Sequence, residues 1–310
     1  MQFLNGIKRI FTIFAAHFQV VLHILKTRHE LTLFLQEQRP YPASVGLVPT
    51  MGALHSGHLS LIARSAEEND LSICSIFVNP TQFNDPADLE RYPRPVESDI
   101  NKLRQTGCDV LFMPEVAEIY AGDEKWHINL GELETVMEGK FRPGHYQGVT
   151  QIVKKLFDLV KPQRAYFGQK DYQQFLVIGE MVRLLSVPVE LICCPTQREP
   201  DGLAMSSRNI HLSAPEREEA RLLSKALFLA RDAAFLAKDA ASKPNPEEVR
   251  KMALAVLASS PLITVEYFEI ADALTLQPIS DWKQSKSVIM LAAIIIGQTR
   301  LIDNLFISQS

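Results

Sequence analysis

The sequence predicts an α/β fold, in which a doubly wound parallel sheet with helices on both faces is followed by a smaller α+β unit. Three observations support this prediction. Short β-branched runs alternate with segments of helical periodicity from about residue 20 to residue 194. The run 71–78 is predominantly apolar, as in a strand that is buried on both faces. From about residue 197 the sequence changes to long charged helices and then to three β-rich runs.

The elements follow in chain order. The parallel sheet is predicted from strands at 20–25, 45–48, 71–78, 109–113, 164–167 and 187–194. Its helices are predicted at 27–38, with Thr27 as N-cap, and at 57–69, 98–105, 148–160 and 172–185. The second unit is predicted from helices at 216–238 and 247–257 and strands at 265–270, 288–296 and 301–306. We therefore divide the chain into an extension of unknown role (1–20), a large domain (21–196) and a small domain (197–310).

Composition excludes several classes of protein. The 310 residues are 46% hydrophobic and 22% charged, which is ordinary for a globular protein with a sizeable core. With 32 Lys and Arg against 36 Asp and Glu, the net charge of −4 gives no reason to expect a nucleic acid partner. The four cysteines, Cys74, Cys108, Cys193 and Cys194, lack CxxC spacing and predict buried, reduced thiols in a cytoplasmic protein. Redox activity of the adjacent pair is the alternative.

The first residues resemble a signal peptide only in part. Lys8 and Arg9 precede an apolar run, but His17, Gln19 and His23 interrupt that run and no small-residue cleavage pattern follows. A membrane-spanning helix needs about 20 predominantly apolar residues, so no membrane association is expected. We interpret residues 1–20 as an amphipathic or loosely attached extension.

The most informative segment follows the second predicted strand and reads Val48-Pro49-Thr50-Met51-Gly52-Ala53-Leu54-His55-Ser56-Gly57-His58. It predicts a glycine-containing turn and a helix whose first turn carries His55 and His58. Backbone N–H groups and the dipole at such a helix end form a phosphate site. Gly52 and Gly57 let a large ligand approach the backbone, and each imidazole can donate a hydrogen bond. The alternatives are an exposed turn or half of a zinc site, for which further nearby ligands are missing.

Polar groups also follow the other predicted strands. After the third strand comes Asn79-Pro80-Thr81-Gln82-Phe83-Asn84, which is either a small-molecule pocket or simply a polar turn. Asp99 lies near a helix start, where an acid can hold a metal or complement the helix dipole. The segment 141–149, with Arg142, His145 and two glycines, is interpreted as a mobile loop that closes over a ligand.

Two further segments supply charge. In Phe167-Gly168-Gln169-Lys170-Asp171-Tyr172-Gln173-Gln174 a strand ends and a helix begins. Lys170 can meet phosphate, whereas Asp171 can accept a hydrogen bond from ribose or help position Mg²⁺. Met205-Ser206-Ser207-Arg208-Asn209 brings two hydroxyls and a guanidinium suited to β- and γ-phosphates. Because ligands of such sheets bind beyond the carboxyl ends of the strands, these segments are expected to converge.

These motifs resemble the pantoate–β-alanine ligase family of the nucleotidylyltransferase superfamily. The resemblance runs from about Val20 to the C-terminus and rests on VPTMGALHSGH, FVNPTQF, YPR, RPGHYQGV, FGQKDYQQ and DGLAMSSRN, in this order and spacing. It implies a Rossmann-like domain, a small C-terminal domain that acts as a lid, and a homodimer.

The reaction implied by the resemblance has two steps. The carboxylate of pantoate attacks the α-phosphorus of ATP, giving pantoyl adenylate and pyrophosphate, and the amine of β-alanine then displaces AMP. The resemblance assigns the stabilisation of the leaving pyrophosphate to His55, His58, Lys170, Ser206, Ser207 and Arg208. It assigns further ATP contacts to Met51, Gly52, Gly168, Asp171 and Met205. It places pantoate against Pro49, Thr50, Gln82 and Gln174, and Mg²⁺, bridging the ATP phosphates, near Asp99.

Some features depart from the family pattern. Some relatives carry an acid where this chain has Ser98, and the loop at Arg208 has no lysine. Two rival functions remain: a nucleotidylyltransferase that leaves the nucleotide on its product, and a nucleotide-sensing protein without turnover. AMP release that depends on β-alanine separates the three.

Overall fold

The computed structural model describes residues 21–38, 44–120, 122, 124–236 and 244–307. The predicted extension 1–20 lies outside the described residues. Within these ranges no helix is long and apolar enough to cross a membrane.

A six-stranded parallel sheet forms the first layer of the fold, in the order β1-β4-β3-β2-β5-β6. Its strands are β1 (His23–Leu25), β2 (Val45–Thr50), β3 (Leu71–Ile76), β4 (Val110–Phe112), β5 (Arg164–Gly168) and β6 (Glu190–Cys194). Every residue of β3 is buried, as its apolar sequence predicts. The predicted parallel sheet is therefore confirmed.

The helices of this layer alternate with the strands, as predicted. Thr27 caps the first of them in a capping box with Glu30. The helices are α1 (Arg28–Glu37), α2 (Ser56–Glu68), α3 (Pro86–Arg91), α4 (Val96–Leu103), α5 (Val116–Ile119), α6 (Met137–Phe141), α7 (His145–Val160) and α8 (Tyr172–Leu184). Short 3₁₀ turns lie at Pro80–Gln82, Gly131–Glu134 and Gln169–Asp171.

A three-stranded antiparallel sheet and three helices form the smaller unit. The sheet consists of β7 (Ile263–Asp272), β8 (Val288–Ile296) and β9 (Thr299–Phe306), with β8 in the middle. The helix predicted at 216–238 differs, because the capping box of Ser213 and Glu216 starts it earlier and a turn at Arg221 divides it. The helices are therefore α9 (Ala214–Ala220), α10 (Leu222–Leu236) and α11 (Pro246–Leu257), and a further 3₁₀ turn lies at Trp282–Gln284.

The strand order reverses between β2 and β5. From β2 the chain builds outward through β3 and β4, whereas β5 and β6 lie on the other side. Parallel sheets bind ligands at such a switch point, beyond the carboxyl ends of the strands. The boundary drawn between residues 196 and 197 falls after β6 and stays a prediction.

The four cysteines are free thiols. Cys74, Cys108 and Cys194 are buried as predicted, whereas Cys193 is half-buried. Burial raises the pKa of Cys108 to about 12 and that of Cys193 to about 11, which disfavours the reactive thiolate.

Candidate active site

One cavity opens at the switch point and collects most of the residues named from the sequence. It lies at the carboxyl ends of β2 and β5 and extends to the segment after β6. Gly52 and Asp99 are the exceptions and line a separate groove beside Met113. The predicted residues that line the cavity are Pro49, Thr50, Met51, His55, His58, Gln82, Gly168, Lys170, Asp171, Gln174, Met205, Ser206, Ser207 and Arg208.

A buried carboxylate shapes the turn between β2 and α2. Gly52 and Ala53 have positive φ of 78° and 50°. Asp99 in α4 is 1% exposed and accepts hydrogen bonds from the N–H of Ala53 at 2.7 Å and of Leu54 at 2.8 Å. A Cβ on Gly52 would lie 2.9 Å from Cγ2 of Ile76, so no side chain fits there. Asp99 thus holds the turn from behind.

Thr50 lines the cavity, but its hydroxyl group is already hydrogen-bonded within the protein. Oγ1 donates to the carbonyl of Ser75 at 2.7 Å and accepts from the N–H of Gly52 at 3.1 Å. Thr50 therefore fixes the start of the turn and offers a ligand mainly its apolar surface.

His55 is the N-cap of α2. Its Nδ1 accepts from the N–H of Gly57 at 3.2 Å, and Nδ1 of His58 accepts from the N–H of His55 at 3.4 Å. A Cβ on Gly57 would lie 2.9 Å from the ring of His55. The space that we expected a ligand to need at Gly57 is therefore filled by the His55 ring.

Both histidines are neutral hydrogen-bond donors toward the cavity. Because each Nδ1 accepts, each ring carries its proton on Nε2. Burial, reinforced by the positive charge of Lys170, lowers the pKa of His55 to about 4. Burial also holds the pKa of His58 well below its ordinary value. The positive charge needed to bind a triphosphate must therefore come from other residues.

The turn after β5 supplies one of these charges. Lys170 and Asp171 stand in the 3₁₀ turn Gln169–Asp171 and both line the cavity. Nζ of Lys170 lies 3.8 Å from Oδ1 of Asp171, beyond hydrogen-bonding distance. The lysine side chain is 19% exposed and the aspartate 48%, so a largely buried ammonium and an accessible carboxylate both face the ligand space.

Tyr92 and Asp88 orient the loop that carries the second charge. Oη of Tyr92 lies 3.2 Å from Oγ of Ser207, and Oγ of Ser206 accepts from the N–H of Arg208 at 3.3 Å. The guanidinium of Arg208 donates to Asp88 at 3.1 Å and lies 5.9 Å from the centre of the Tyr92 ring. The YPR motif thus contributes a support for the segment that carries Arg208.

Gln82 belongs to a neutral part of the cavity. Its Oε1 accepts from Nδ2 of Asn79 at 3.1 Å, and its Nε2 lies 3.0 Å from the sulfur of Met51. Asn79 is 1% exposed and in turn accepts from Oη of Tyr120 at 2.6 Å. No cation lines this side of the cavity among the described residues, so the pocket suits a small polar molecule better than a phosphorylated one.

The segment 141–149 lies beneath Gln82, and the expectation that it closes over a ligand is wrong. His145 begins α7, is 6% exposed and donates through Nδ1 to the carbonyl of Gln82 at 2.8 Å. Arg142 donates to Nε2 of the same ring at 3.0 Å. Neither side chain lines the cavity. Both support the turn that carries Gln82, because burial within the fold outweighs the loop-like local sequence.

Gly148 lets α7 approach this turn. A Cβ there would lie 2.4 Å from the carbonyl oxygen of Thr81 and 2.7 Å from the nitrogen of Gln82, so the turn would have to shift. We expect Gly148→Ala to raise the KM of the ligand held by Gln82 about tenfold or more, and that of the nucleotide less. Steady-state kinetics measures both.

Gly179→Ala is the matched control for this change. Gly179 lies in α8, where a Cβ would meet only Leu191, at 3.9 Å. Its KM values should match those of the unchanged protein, with stability equal or higher. Equal KM values in both variants would show that the approach of α7 does not position Gln82.

The neutral histidines make stability depend on pH. Burial lowers the pKa of His145 to about 3 and that of His55 to about 4, whereas an unfolded histidine titrates near 6.5. Between about pH 6.5 and 4 these histidines bind protons in the unfolded chain but stay unprotonated in the folded chain. The free energy of unfolding should therefore decrease as the pH is lowered, by up to about 1.4 kcal/mol per pH unit for each histidine.

Urea unfolding at about pH 7.5, 6.5 and 5.5 tests this dependence. In His145→Gln the free energy of unfolding should decrease less steeply as the pH is lowered, because one of the histidines with a lowered pKa is absent. An unchanged free energy of unfolding between about pH 6.5 and 5.5 would contradict the neutral assignment.

The site does not fit a resident metal ion. Among the described residues no group of three or more His, Cys, Asp or Glu is arranged to hold one. Each oxygen of Asp99 already accepts a backbone hydrogen bond, and Nζ of Lys102 lies 4.0 Å away. This donor set fits a carboxylate that fixes a turn. Asp99 as a magnesium ligand stays a prediction.

Sequence reasoning missed Thr196 and gave Asn79 and Tyr92 no individual role at the site. Asn79 and Tyr92 stood in quoted motifs, but only their contacts with Gln82 and Ser207 give them a role. Thr196 follows β6 and lines the cavity, and its buried hydroxyl has no hydrogen-bond partner among the described residues. A polar residue just after a strand is the signal that could have found it.

Known proteins are similar to this chain in sequence and in fold. The model of the family described as pantoate-beta-alanine ligase matches residues 23–306. The chain is 47% identical over 285 residues to the pantothenate synthetase of Bacteroides thetaiotaomicron, covering 92% of this chain and 98% of that one. It is 44% identical over 283 residues to that of Thermotoga petrophila, covering 91% and 99%.

Solved structures agree. The crystal structure of pantothenate synthetase from Thermus thermophilus superposes with a TM-score of 0.85 at 42% identity. The match covers 93% of this chain and 100% of that one. The pantoate-beta-alanine ligase of Francisella tularensis, crystallised with Beta-gamma ATP and Beta-alanine, gives a TM-score of 0.73 at 33% identity, covering 94% and 99%. The resemblance noted in the motifs is thereby confirmed, and this chain belongs to the pantoate–β-alanine ligase family.

Proposed function

We propose that this chain condenses pantoate with β-alanine at the expense of ATP and releases AMP and pyrophosphate. The observation that carries this proposal is that one cavity brings two kinds of group together. Neutral imidazole donors and the cations Lys170 and Arg208 line it, and so do the amides of Gln82 and Gln174. The first set suits a triphosphate and the amides suit a small hydroxy acid.

In the first step a carboxylate oxygen of pantoate attacks the α-phosphorus of ATP, and the bond to the β-phosphate bridge breaks. Negative charge grows on the leaving pyrophosphate. Nε2–H of His55 and His58, the ammonium of Lys170 and the guanidinium of Arg208 are placed to stabilise that charge. No side chain has to act as a nucleophile, so positioning and electrostatics account for the rate.

In the second step the amine of β-alanine attacks the acyl carbon of pantoyl adenylate, and AMP leaves with an oxygen that came from pantoate. The mixed anhydride must be protected from water until then. The small unit that carries β9 contacts the Lys170 turn, which lines the cavity. We assign it the role of lid.

Magnesium enters this proposal with the nucleotide. Bound across the phosphates of ATP, Mg²⁺ would neutralise part of their charge; the described residues offer no site of their own for it. The homodimer and the cytoplasmic location that we expect from the sequence stay predictions.

A nucleotidylyltransferase that leaves the nucleotide on its product fits the site less well. Such enzymes acting on phosphorylated acceptors need cations beside the acceptor. Here the acceptor side is lined by Asn79, Gln82 and Met51, and the nearby Arg142 is engaged with His145 beneath the turn.

Oxygen transfer tests the proposed chemistry. With pantoate labelled by ¹⁸O in its carboxylate, one labelled oxygen should appear in the phosphate of AMP. Mass spectrometry of the AMP and of the pantothenate distinguishes the routes. Unlabelled AMP, or ADP and phosphate as products, would refute an acyl adenylate.

A further inference from the structure

One side chain of the small unit holds the turn that carries Lys170. Nδ2 of Asn304, in β9, donates to the carbonyl oxygens of Gln169 and of Lys170, each at 2.8 Å. Its Oδ1 accepts from Nε2 of Gln169 at 3.2 Å. Asn304 is 2% exposed. Gln169 and Lys170, whose carbonyl groups it binds, lie 135 and 134 positions before it in the chain.

The turn depends on such an external partner. It is a 3₁₀ turn of three residues, too short to satisfy its own carbonyl groups. Buried carbonyl groups need hydrogen bonds, and a single carboxamide supplies two donors in one plane. Both N–H groups of the Asn304 side chain donate to this turn.

Asn304 itself is firmly placed. Its backbone N–H donates to Oδ1 of Asp303 at 2.8 Å. Asp303 is buried and forms a two-point ion pair with Arg198, at 2.6 and 3.0 Å. Arg198 in turn pairs in a β-bridge with Ala204, just before the loop that carries Arg208. Neighbouring residues of β9 therefore anchor both cation-bearing segments of the cavity.

We propose that Asn304 is a positioning residue that sets the direction of Lys170 toward the leaving pyrophosphate. The ammonium of Lys170 makes no hydrogen bond with Asp171, its ion-pair partner at 3.8 Å, so the position of the turn backbone sets the point from which the lysine side chain reaches the cavity. This inference rests on the proposed function of Lys170. It also gives the small unit a part in the chemistry, because β9 supplies the donors for the carbonyl groups of the turn.

A double-mutant cycle tests the proposal. Asn304→Leu keeps the branching and the number of heavy atoms of the side chain but removes the donors, and should lower kcat about tenfold to a hundredfold, with KM for β-alanine unchanged. Lys170→Met should lower kcat more. If Asn304 acts through Lys170, the double variant should be no slower than Lys170→Met within about threefold.

Gln169→Met is the matched control. It removes the contact with Oδ1 of Asn304 but leaves both donor bonds to the backbone. Its kcat should stay within about twofold of the unchanged protein. Should Asn304→Leu fail to fold, Asn304→Asp, which also lacks the two donors but has the same size, takes its place in the cycle.

The outcomes separate this inference from the proposed function. Full activity of the Asn304 variants, or losses that multiply in the double variant, would overturn the positioning role while leaving the ligase intact. If the unchanged protein makes no pantothenate at all, the proposed function itself fails. A loss of kcat that vanishes in the Lys170→Met background supports the inference.

Discussion

Replacing His55 by asparagine is expected to lower the turnover number about 10²- to 10³-fold while the melting temperature stays near that of the unchanged protein. His55 is the N-cap of α2 through Nδ1, and in the proposed function it also donates to the ligand through Nε2. Asparagine is a good N-cap, so it retains the first role, but it is too short for the second. Steady-state kinetics and thermal unfolding measure the two separately.

His55→Ala completes the comparison. It loses the cap as well, so it should be as slow as the asparagine variant and additionally less stable, by about 1 kcal/mol. A turnover number near that of the unchanged protein in His55→Asn, together with a low one in His55→Ala, would mean that the residue stabilises the helix and does not act in the reaction.

Lys170→Met is expected to slow adenylate formation about 10²- to 10³-fold, because it removes a largely buried charge that lines the cavity and that we propose stabilises the leaving pyrophosphate. Rapid-quench measurement of pyrophosphate release in the absence of β-alanine isolates this step. The attack of β-alanine on adenylate already formed should change less, since no charge then develops on pyrophosphate.

Lys251→Met removes the same charge far from the site. Lys251 lies in α11, 71% exposed and 3.9 Å from Glu247. Its kinetics should match those of the unchanged protein. A comparable loss in both lysine variants would point to net charge rather than to a contact at the phosphates.

Local signals in the sequence predicted most elements correctly. Thr27 followed by Glu30 is a capping box, and the run that became β3 is predominantly apolar and buried along its whole length. The convergence of the segments after β2, β3, β5 and β6 could be predicted as well, because the carboxyl ends of parallel strands share one edge of the sheet. The order of the strands could not, since it depends on pairing between distant residues.

The supports of the site were beyond local reasoning. Asp99 meets the turn of Ala53 from 46 positions away, and Asn304 meets Lys170 from 134 positions away. No periodicity or motif records such contacts. His145 shows the opposite difficulty, because its glycine-rich surroundings are typical of an open loop, although the ring is buried under Gln82.

The most direct test of the whole account is AMP formation from ATP and Mg²⁺ with pantoate present, with and without β-alanine. We predict steady release of AMP and pyrophosphate only when both acids are supplied, and with pantoate alone a single burst of pyrophosphate near one equivalent per site. Steady AMP release that is indifferent to β-alanine, or no consumption of ATP under any of these conditions, would contradict the ligase assignment.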